Sequence, residues 1–240
     1  MPATASTSAD SRMRIASSGV VGQAGVVPEM SASASTFCTS APYRLLARRV
    51  VLPWALQGVR PTGEVLEIGA GSGAMAAGLL GRFPGLTVVA TDYDPEMVTT
   101  AGRSLSSWSG CATVEQADAT DLPFDEGRFS LVLSCAMLHH VVDWEKAVSE
   151  ATRVLRPGGK LVGFDLLHVA DWRVPHLGRH HPGEHEGEID HASPSHGAGA
   201  KRLVDPDTFE QELDRLPLAA VRVRRSVGGM TFRFLATRTS

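Results

Sequence analysis

The stretch Val65-Leu66-Glu67-Ile68-Gly69-Ala70-Gly71-Ser72-Gly73 decides the fold. Its apolar start has the character of a β-strand and leads into closely spaced glycines, and an amphipathic segment follows from Ala74. Glycine lets the backbone turn sharply and approach a ligand closely, and the first turn of a following helix presents N–H groups that lack intrahelical partners. The stretch therefore predicts a strand, a ligand-binding loop and a helix, with a nucleotide-like cofactor as the natural ligand.

The glycine loop alone leaves two classes of cofactor open, because residues 69–74 also satisfy the dinucleotide fingerprint in its G-x-G-x-x-A form. The carboxylate of Glu67 favours a ligand that carries an ammonium group and repels a phosphate. Asp92 ends the next predicted strand, where it could accept hydrogen bonds from both ribose hydroxyls of either cofactor. After the third strand, Asp118 offers an acceptor to an exocyclic adenine amine, and the Ala119 N–H offers a donor to a ring nitrogen.

Short β-branched runs alternate with amphipathic segments on both sides of this loop, and that alternation predicts a parallel sheet with helices on both faces. Gly228-Gly229 separates the last two runs, which predicts an antiparallel hairpin. A helix near Pro42 precedes the first strand, and Asp94 and Asp205 are placed to cap later helices. The predicted strands are 65–68, 86–91, 112–116, 129–134, 160–166, 219–227 and 230–237, and helices are expected from about Ala74, Pro95, Trp144 and Pro206.

Two segments fall outside this pattern. Residues 1–36 are dominated by Ser, Ala, Thr and Gly and contain no aromatic side chain, so they predict a disordered tail, whereas an organelle-targeting segment is less favoured because no amphipathic period is present. Residues 167–203 are rich in His, Gly and Pro and predict an insertion, a lid or a mobile loop. The rest of residues 37–240 is expected to form a single domain.

Composition excludes several classes of function. The 26 acidic and 23 basic residues give a formal charge of -3, which lacks the basic excess of proteins that bind phosphate backbones. No apolar run is long enough for a membrane-spanning helix. Three cysteines, Cys38, Cys111 and Cys135, fit neither a disulfide framework nor a zinc site. The expected protein is soluble and cytoplasmic, without a nucleic-acid partner or stable membrane insertion.

Four motifs in order resemble those of class I S-adenosylmethionine-dependent methyltransferases of the small-molecule type. Residues 67–73 match the first motif of that family, Asp92-Tyr93-Asp94-Pro95-Glu96-Met97 its ribose segment, and Asp118-Ala119 its adenine segment. Residues 155–161 resemble the turn before its fifth strand. The resemblance covers about residues 42–237 and implies a Rossmann-like, doubly wound, seven-stranded sheet, mostly parallel with an antiparallel C-terminal hairpin.

The resemblance also implies a cofactor and its binding residues. S-adenosylmethionine is expected as the methyl donor, with a small molecule as the methyl acceptor. Tyr93 and Met97 are expected to flank the adenine, although either could equally be an ordinary apolar residue. The predicted cofactor-binding residues are Glu67, Gly69, Ala70, Gly71, Gly73, Asp92, Tyr93, Met97, Asp118, Ala119 and Ser134.

Candidate catalytic residues follow the fourth predicted strand. His139 and His140 lie at the carboxyl end of the sheet, where open α/β folds bind ligands, and either could remove a proton from the acceptor. The resemblance adds weight to His140, since the family often carries a histidine there, whereas a structural role remains an alternative for both. Asp165 ends the fifth strand and could face the acceptor or serve only as a hydrogen-bonding group.

Seven of the nine histidines lie between His168 and His196, with i, i+4 pairs at His176/His180 and His181/His185. That spacing could bind a metal on a helix, but the glycines and prolines among them argue against a stable helix, so no metal site is predicted. Two other classes of protein stay open: a nicotinamide-dependent oxidoreductase, and a binding protein that keeps the fold without catalysis. The predicted function is methyl transfer from S-adenosylmethionine to a small molecule by in-line displacement.

Overall fold

The computed structural model describes residues 40–167, 204–226 and 229–240, together with the backbone of the short strand Ile15–Ala16. Most of the predicted tail 1–36 and nearly all of the segment 167–203, including the clustered histidines, lie outside the described residues. Ile15–Ala16 pairs in parallel with Val114 and Glu115 at one edge of the sheet.

One mixed sheet organises the fold, in the order β1-β4-β3-β2-β5-β6-β8-β7. In this spatial order every neighbouring pair from β1 through to β6 is parallel, whereas β8 runs antiparallel to both β6 and β7. The predicted doubly wound sheet with an antiparallel C-terminal hairpin is confirmed. The strands are β1 Ile15–Ala16, β2 Glu64–Ile68, β3 Thr87–Asp92, β4 Ala112–Gln116, β5 Phe129–Cys135, β6 Leu155–Leu166, β7 Leu218–Arg225 and β8 Thr231–Arg238.

Helices cover both faces of this sheet. They are α1 Ala41–Leu46, α2 Leu52–Leu56, α3 Ala74–Arg82, α4 Pro95–Leu105, α5 Trp144–Val154 and α6 Pro206–Arg215, with a π-helical segment, Ala47–Val51, joining α1 to α2. One apolar core packs α2, α3 and α4 against the sheet, and a second core packs α5 and α6 against the opposite face. Burial on both faces explains why the central strands are continuous apolar runs.

The first predicted helix is continuous but not regular. Ser40 caps it, accepting a hydrogen bond from the Tyr43 N–H at 3.4 Å, and the helix then widens to a π-helix over Ala47–Val51 before Pro53. Proline has no N–H and its ring clashes with the carbonyl four residues earlier, which accounts for a wider turn just before it. Trp54 then packs edge-on against Phe164 of β6, with ring centroids 5.3 Å apart, and so places the helix over the carboxyl end of the sheet.

Two predicted caps are confirmed. Asp94 accepts a 2.7 Å hydrogen bond from the Glu96 N–H at the start of α4, where Pro95 fills the first helical position. Asp205 accepts from the N–H groups of Asp207 and Thr208 at the start of α6. Both carboxylates satisfy N–H groups that the helix itself leaves unpaired.

Strand β6 begins earlier than the sequence indicated. Phe129 pairs with Leu155 but Leu131 pairs with Lys160, so the register shifts where β6 contains an excursion around Gly158. Gly158 has a φ of +77°, which a residue with a side chain rarely adopts. The apparent turn at residues 155–161 is therefore an irregular start of β6, held in place by the neighbouring strand.

Candidate active site

A cavity of about 570 Å³ opens at the carboxyl ends of β2, β3 and β5. Chain connections diverge here, because β3 and β5 flank β2 on opposite sides, and open α/β sheets bind ligands at such a point. The walls combine the glycine loop, the ends of β3 and β5, and the first helix. Of the residues proposed for the cofactor, those on the wall are Glu67, Gly69, Ala70, Gly71, Asp92, Tyr93, Met97, Asp118 and Ala119.

The glycine loop is tied to the end of β3. The Gly71 N–H donates to Asp92 Oδ2 at 2.7 Å, and the Ala70 N–H donates to the Thr91 carbonyl at 2.9 Å. Gly69 and Gly71 have φ values of +72° and +51°, in the left-handed region that favours glycine. The loop therefore has a fixed conformation that brings the main chain to the cavity.

Gly73 lies at the contact between α3 and α4. It is the N-cap of α3 with a φ of +71°, and it lies outside the cavity wall. A Cβ at this position would come within 3.2 Å of the Ala101 Cα. Gly73 therefore lets α3 pack closely on α4 and does not itself reach the ligand space.

Glu67 is a buried carboxyl on the cavity wall. Its residue is 1% exposed, and its Oε2 atom has no hydrogen-bond partner. Burial raises the pKa of Glu67 to about 8, with a hydrogen bond from the Ala76 backbone lowering it and the nearby Asp92 charge raising it further. An unpartnered buried oxygen of this kind fits a cationic ligand group, which would restore the lost solvation and favour the ionised carboxylate.

Asp92 lies beside Glu67 at the end of the adjacent strand. Its Oδ2 accepts from the Gly71 N–H, and its Oδ1 accepts from the Asp94 N–H at 3.0 Å. Burial raises the pKa of Asp92 despite these two hydrogen bonds. The carboxylate is thus oriented by the main chain while it remains on the cavity wall, which suits it to accept hydrogen bonds from ligand hydroxyls.

The proposed adenine side is formed by α4 and the segment after β4. Met97 is buried and Tyr93 is 37% exposed, and both line the cavity together with Asp118 and Ala119. Asp118 Oδ1 accepts from both the N–H and the hydroxyl of Thr120, each at 2.8 Å. These bonds fix the carboxylate at the cavity edge.

The residues after β5 divide between the cavity and the core. Ser134 is 3% exposed, its Oγ has no hydrogen-bond partner, and it lies outside the cavity wall, whereas the next residue, Cys135, is on the wall. Successive side chains of a strand point to opposite faces, which explains this division. Burial raises the pKa of Cys135 well above its usual range, with further contributions from Glu67 and Asp165, so the thiol stays protonated.

The two candidate catalytic histidines are likewise separated. His140 lines the cavity, whereas His139 does not. The centroids of the two imidazole rings are 4.0 Å apart. His139 is 9% exposed and its Nδ1 is 2.6 Å from Asp165 Oδ1. Asp165 is fully buried, so it has the hydrogen-bonding role and does not face the cavity.

A largely apolar side of the cavity was not fully anticipated. Tyr43 reaches it from the first helix and Ala47 from the π-helical segment that follows. Other members give no signal in sequence, because they come from α3, from near the end of β6, and from α5 and the segment just before it, whose patterns look like ordinary core or surface. These additional wall residues are Met75, Phe164, Val141, Val142 and Lys146.

In the described ranges, no group of three or more His, Cys, Asp and Glu side chains is arranged to hold a metal ion. The clustered histidines between His168 and His196 lie outside those ranges. Among the helices that the structure describes, none has the length and apolar character needed to cross a bilayer.

Comparison with known proteins identifies the domain. Residues 66–163 match the family model described as a methyltransferase domain. A demethylmenaquinone methyltransferase of Thermus thermophilus is 35% identical over 128 residues, which cover 51% of this chain and 58% of that protein. The ubiquinone/menaquinone biosynthesis C-methyltransferase UbiE of Geobacter sp. is 33% identical over 108 residues, which cover 44% of this chain and 46% of that protein. The chain thus matches about half the length of these curated relatives.

Solved structures agree on the fold. A SAM-dependent methyltransferase from Aquifex aeolicus has a TM-score of 0.60 at 18% identity, covering 87% of this chain and 99% of the other. A putative methyltransferase in complex with the Trm112 activator from Haloferax volcanii has a TM-score of 0.63 at 15% identity, covering 86% and 97%. Residues 66–163 thus form a methyltransferase domain, and the fold of the chain is that of class I S-adenosylmethionine-dependent methyltransferases, in agreement with the resemblance carried by its motifs.

Proposed function

We propose that this chain transfers a methyl group from S-adenosylmethionine to a small, largely apolar acceptor. The observation that carries the proposal is Glu67, a residue of the cavity wall whose buried carboxyl has an unpartnered oxygen, close to the oriented Asp92 on the adjacent strand. A ligand that combines an ammonium group with a ribose satisfies both carboxylates at once. A dinucleotide would instead bring a pyrophosphate towards Glu67.

Each part of the donor side has a proposed partner. Glu67 receives the ammonium group of the methionine moiety, and Asp92 accepts hydrogen bonds from the ribose hydroxyls. Asp118 and the Ala119 N–H recognise the adenine edge, with Met97 packing against its face. When bound, S-adenosylmethionine supplies an activated methyl group on a sulfonium centre.

The acceptor side favours an apolar ring. Tyr43, Val141, Val142 and Phe164 give the cavity an apolar wall. Relatives that match about half of this chain's length are named for methylation in menaquinone and ubiquinone biosynthesis. The reduced, quinol form of a quinone is therefore the acceptor class that we propose, with a nucleophilic ring carbon as the methylated atom.

The protein's own contribution is alignment, exclusion of water and removal of a proton. Apolar walls exclude water from the reacting groups, and the fixed glycine loop holds the donor in one orientation. Methylation of a ring carbon replaces a hydrogen, so a proton must leave the acceptor. His140 is the wall residue that we propose to receive it.

Calorimetric titration with S-adenosylmethionine and S-adenosylhomocysteine tests the donor site. Asp92→Ala should weaken the binding of both by at least tenfold, whereas Asp205→Ala, which removes a carboxylate from the distant cap of α6, should leave it within twofold of wild type. Binding of NADH in place of both ligands would overturn the proposal. With donor binding established, transfer of a labelled methyl group to demethylmenaquinone kept reduced as the quinol, whose ring carbon is nucleophilic, tests the acceptor class, and its absence would reject that class alone.

A further inference from the structure

Asp165 is the centre of a hydrogen-bond cluster behind the cavity. It is fully buried near the end of β6. Its Oδ2 accepts from the N–H groups of Met137 at 3.2 Å and Leu138 at 2.7 Å, and its Oδ1 accepts from the Leu166 N–H at 2.7 Å. The fourth contact is His139 Nδ1 at 2.6 Å. One carboxylate therefore joins β6 to the segment that follows β5.

The tautomer of His139 follows from these contacts. Because both oxygens of Asp165 already accept backbone N–H groups, the His139 Nδ1 is the donor in the fourth hydrogen bond. The ring so fixed lies against His140, with centroids 4.0 Å apart and planes inclined by 41°. The backbone N–H of His140 in turn donates to the Met137 carbonyl at 2.9 Å. His139 is thus a rigid support for the residue that reaches the cavity.

The segment that this cluster holds is strained. Ala136 has a φ of +52°, in the left-handed region that is unfavourable for a residue with a Cβ. Its N–H donates to the Phe164 carbonyl at 2.8 Å, and the next residue, Met137, contacts the glycine loop at Gly69. Backbone strain of this kind persists only where surrounding contacts over-determine the conformation. Asp165 supplies several of those contacts.

We propose that Asp165 and His139 are positioning residues that fix residues 136–140 and orient His140 on the acceptor side of the cavity. The inference rests on the proposed function, because the orientation matters only if His140 works on an acceptor. Neither residue touches the ligand space, so their loss should change turnover much more than donor affinity.

Substitution of His139 tests the hydrogen bond separately from the fold. Asparagine places an N–H donor the same number of bonds from Cβ as His Nδ1, whereas alanine removes the donor. With demethylmenaquinone reduced to the quinol as acceptor, His139→Ala should lower kcat by at least tenfold while the dissociation constant for S-adenosylhomocysteine stays within threefold of wild type. His139→Asn should recover most of the lost turnover. An unchanged kcat in His139→Ala, or no recovery in His139→Asn, overturns the inference.

Hydrogen exchange supplies a readout that needs no acceptor. Asp165→Asn should speed amide exchange of residues 137–138 by at least tenfold, because their acceptor is weakened. Asp205→Asn makes the same chemical change at a helix cap and should leave that segment unaffected. Unchanged exchange in folded Asp165→Asn would overturn the positioning role. Failure of wild-type protein to bind S-adenosylhomocysteine would instead refute the proposed function.

Discussion

Gly69 lies directly beneath Met137, so close that a Cβ on Gly69 would overlap the Met137 side chain. The contact joins the loop after β2 to the loop after β5, and both loops line the cavity. Gly69 also has a φ of +72°. The first glycine of the motif therefore meets two requirements, one of conformation and one of space.

Gly69→Ala should destabilise the protein and weaken donor binding. The left-handed conformation costs alanine about 1–2 kcal/mol, and overpacking against Met137 adds about 1–3 kcal/mol. Urea unfolding measures the loss of stability, and calorimetry with S-adenosylhomocysteine measures the loss of donor affinity. Gly81→Ala is the matched control, because Gly81 is in α3 with open space around it and should become slightly more stable. Equal stability of the two variants would contradict this account.

Stability should fall as pH rises between about 4.5 and 8, in part because of Glu67. Burial raises the pKa of Glu67 to about 8, so the folded state binds a proton that the unfolded chain has already released. Stability decreases with pH wherever the folded state binds more protons. Urea unfolding at several pH values measures the slope, and Glu67→Gln should make it shallower. An identical slope in the variant would show that Glu67 ionises normally.

Binding of S-adenosylmethionine should release a proton from Glu67. At pH 6.5 the free carboxyl is mostly protonated, since its pKa is raised to about 8, while the α-amino group of the ligand is already mostly charged. Pairing with that ammonium group favours the carboxylate. Calorimetry in buffers of different ionisation enthalpy counts the protons released, and Glu67→Gln should reduce the count. Heats that do not depend on the buffer in wild type would place the ammonium group elsewhere.

Arg153 should stabilise the fold without affecting the cavity. Its guanidinium donates to the Phe124 carbonyl at 2.8 Å and the Leu122 carbonyl at 3.0 Å, and it also pairs with Glu150. Hydrogen bonds of a charged group to the backbone contribute about 1.5–3 kcal/mol. Arg153→Ala should therefore lower the free energy of unfolding by about 2 kcal/mol and leave donor affinity unchanged.

The control for Arg153 is another arginine with the same i, i+3 spacing. Arg215 pairs with Glu212 at 3.0 Å, but its side chain is 73% exposed. An exposed pair of this kind contributes about 0–1 kcal/mol. A loss in Arg215→Ala as large as that in Arg153→Ala would show that the carbonyl contacts are not the cause.

Local signals predicted much of the fold. Asp94 before Pro95 and Asp205 before Pro206 predicted two helix starts, since short side chains and proline satisfy the needs of the first turn. The widened turn at Ala47–Val51 was not predictable in the same way. A helical sequence pattern specifies which face is apolar, but the effect of Pro53 on the preceding turn also depends on how the neighbouring residues pack.

Site residues were predictable by type more than by role. Glu67, Gly71 and Asp92 reach the cavity, as the spacing of the motif indicated. Ser134 and His139 lie outside the cavity wall, although each adjoins a residue that is on it. The sequence does not show which of two adjacent residues faces the cavity. That is decided by the pairing register of the strand and by the path of the loop that follows it.

The sequence by itself determined the alternation of strands and helices, the glycine loop and the class of cofactor, because backbone conformation and apolar periodicity are local properties. Tertiary structure decided which strands are neighbours and therefore which side chains meet at their ends. Glu67 and Asp92 are neighbours because β2 and β3 pair in parallel, and Asp165 reaches His139 because β5 and β6 do. Contacts between residues far apart in the chain depend on strand order and packing, which no short stretch of sequence specifies.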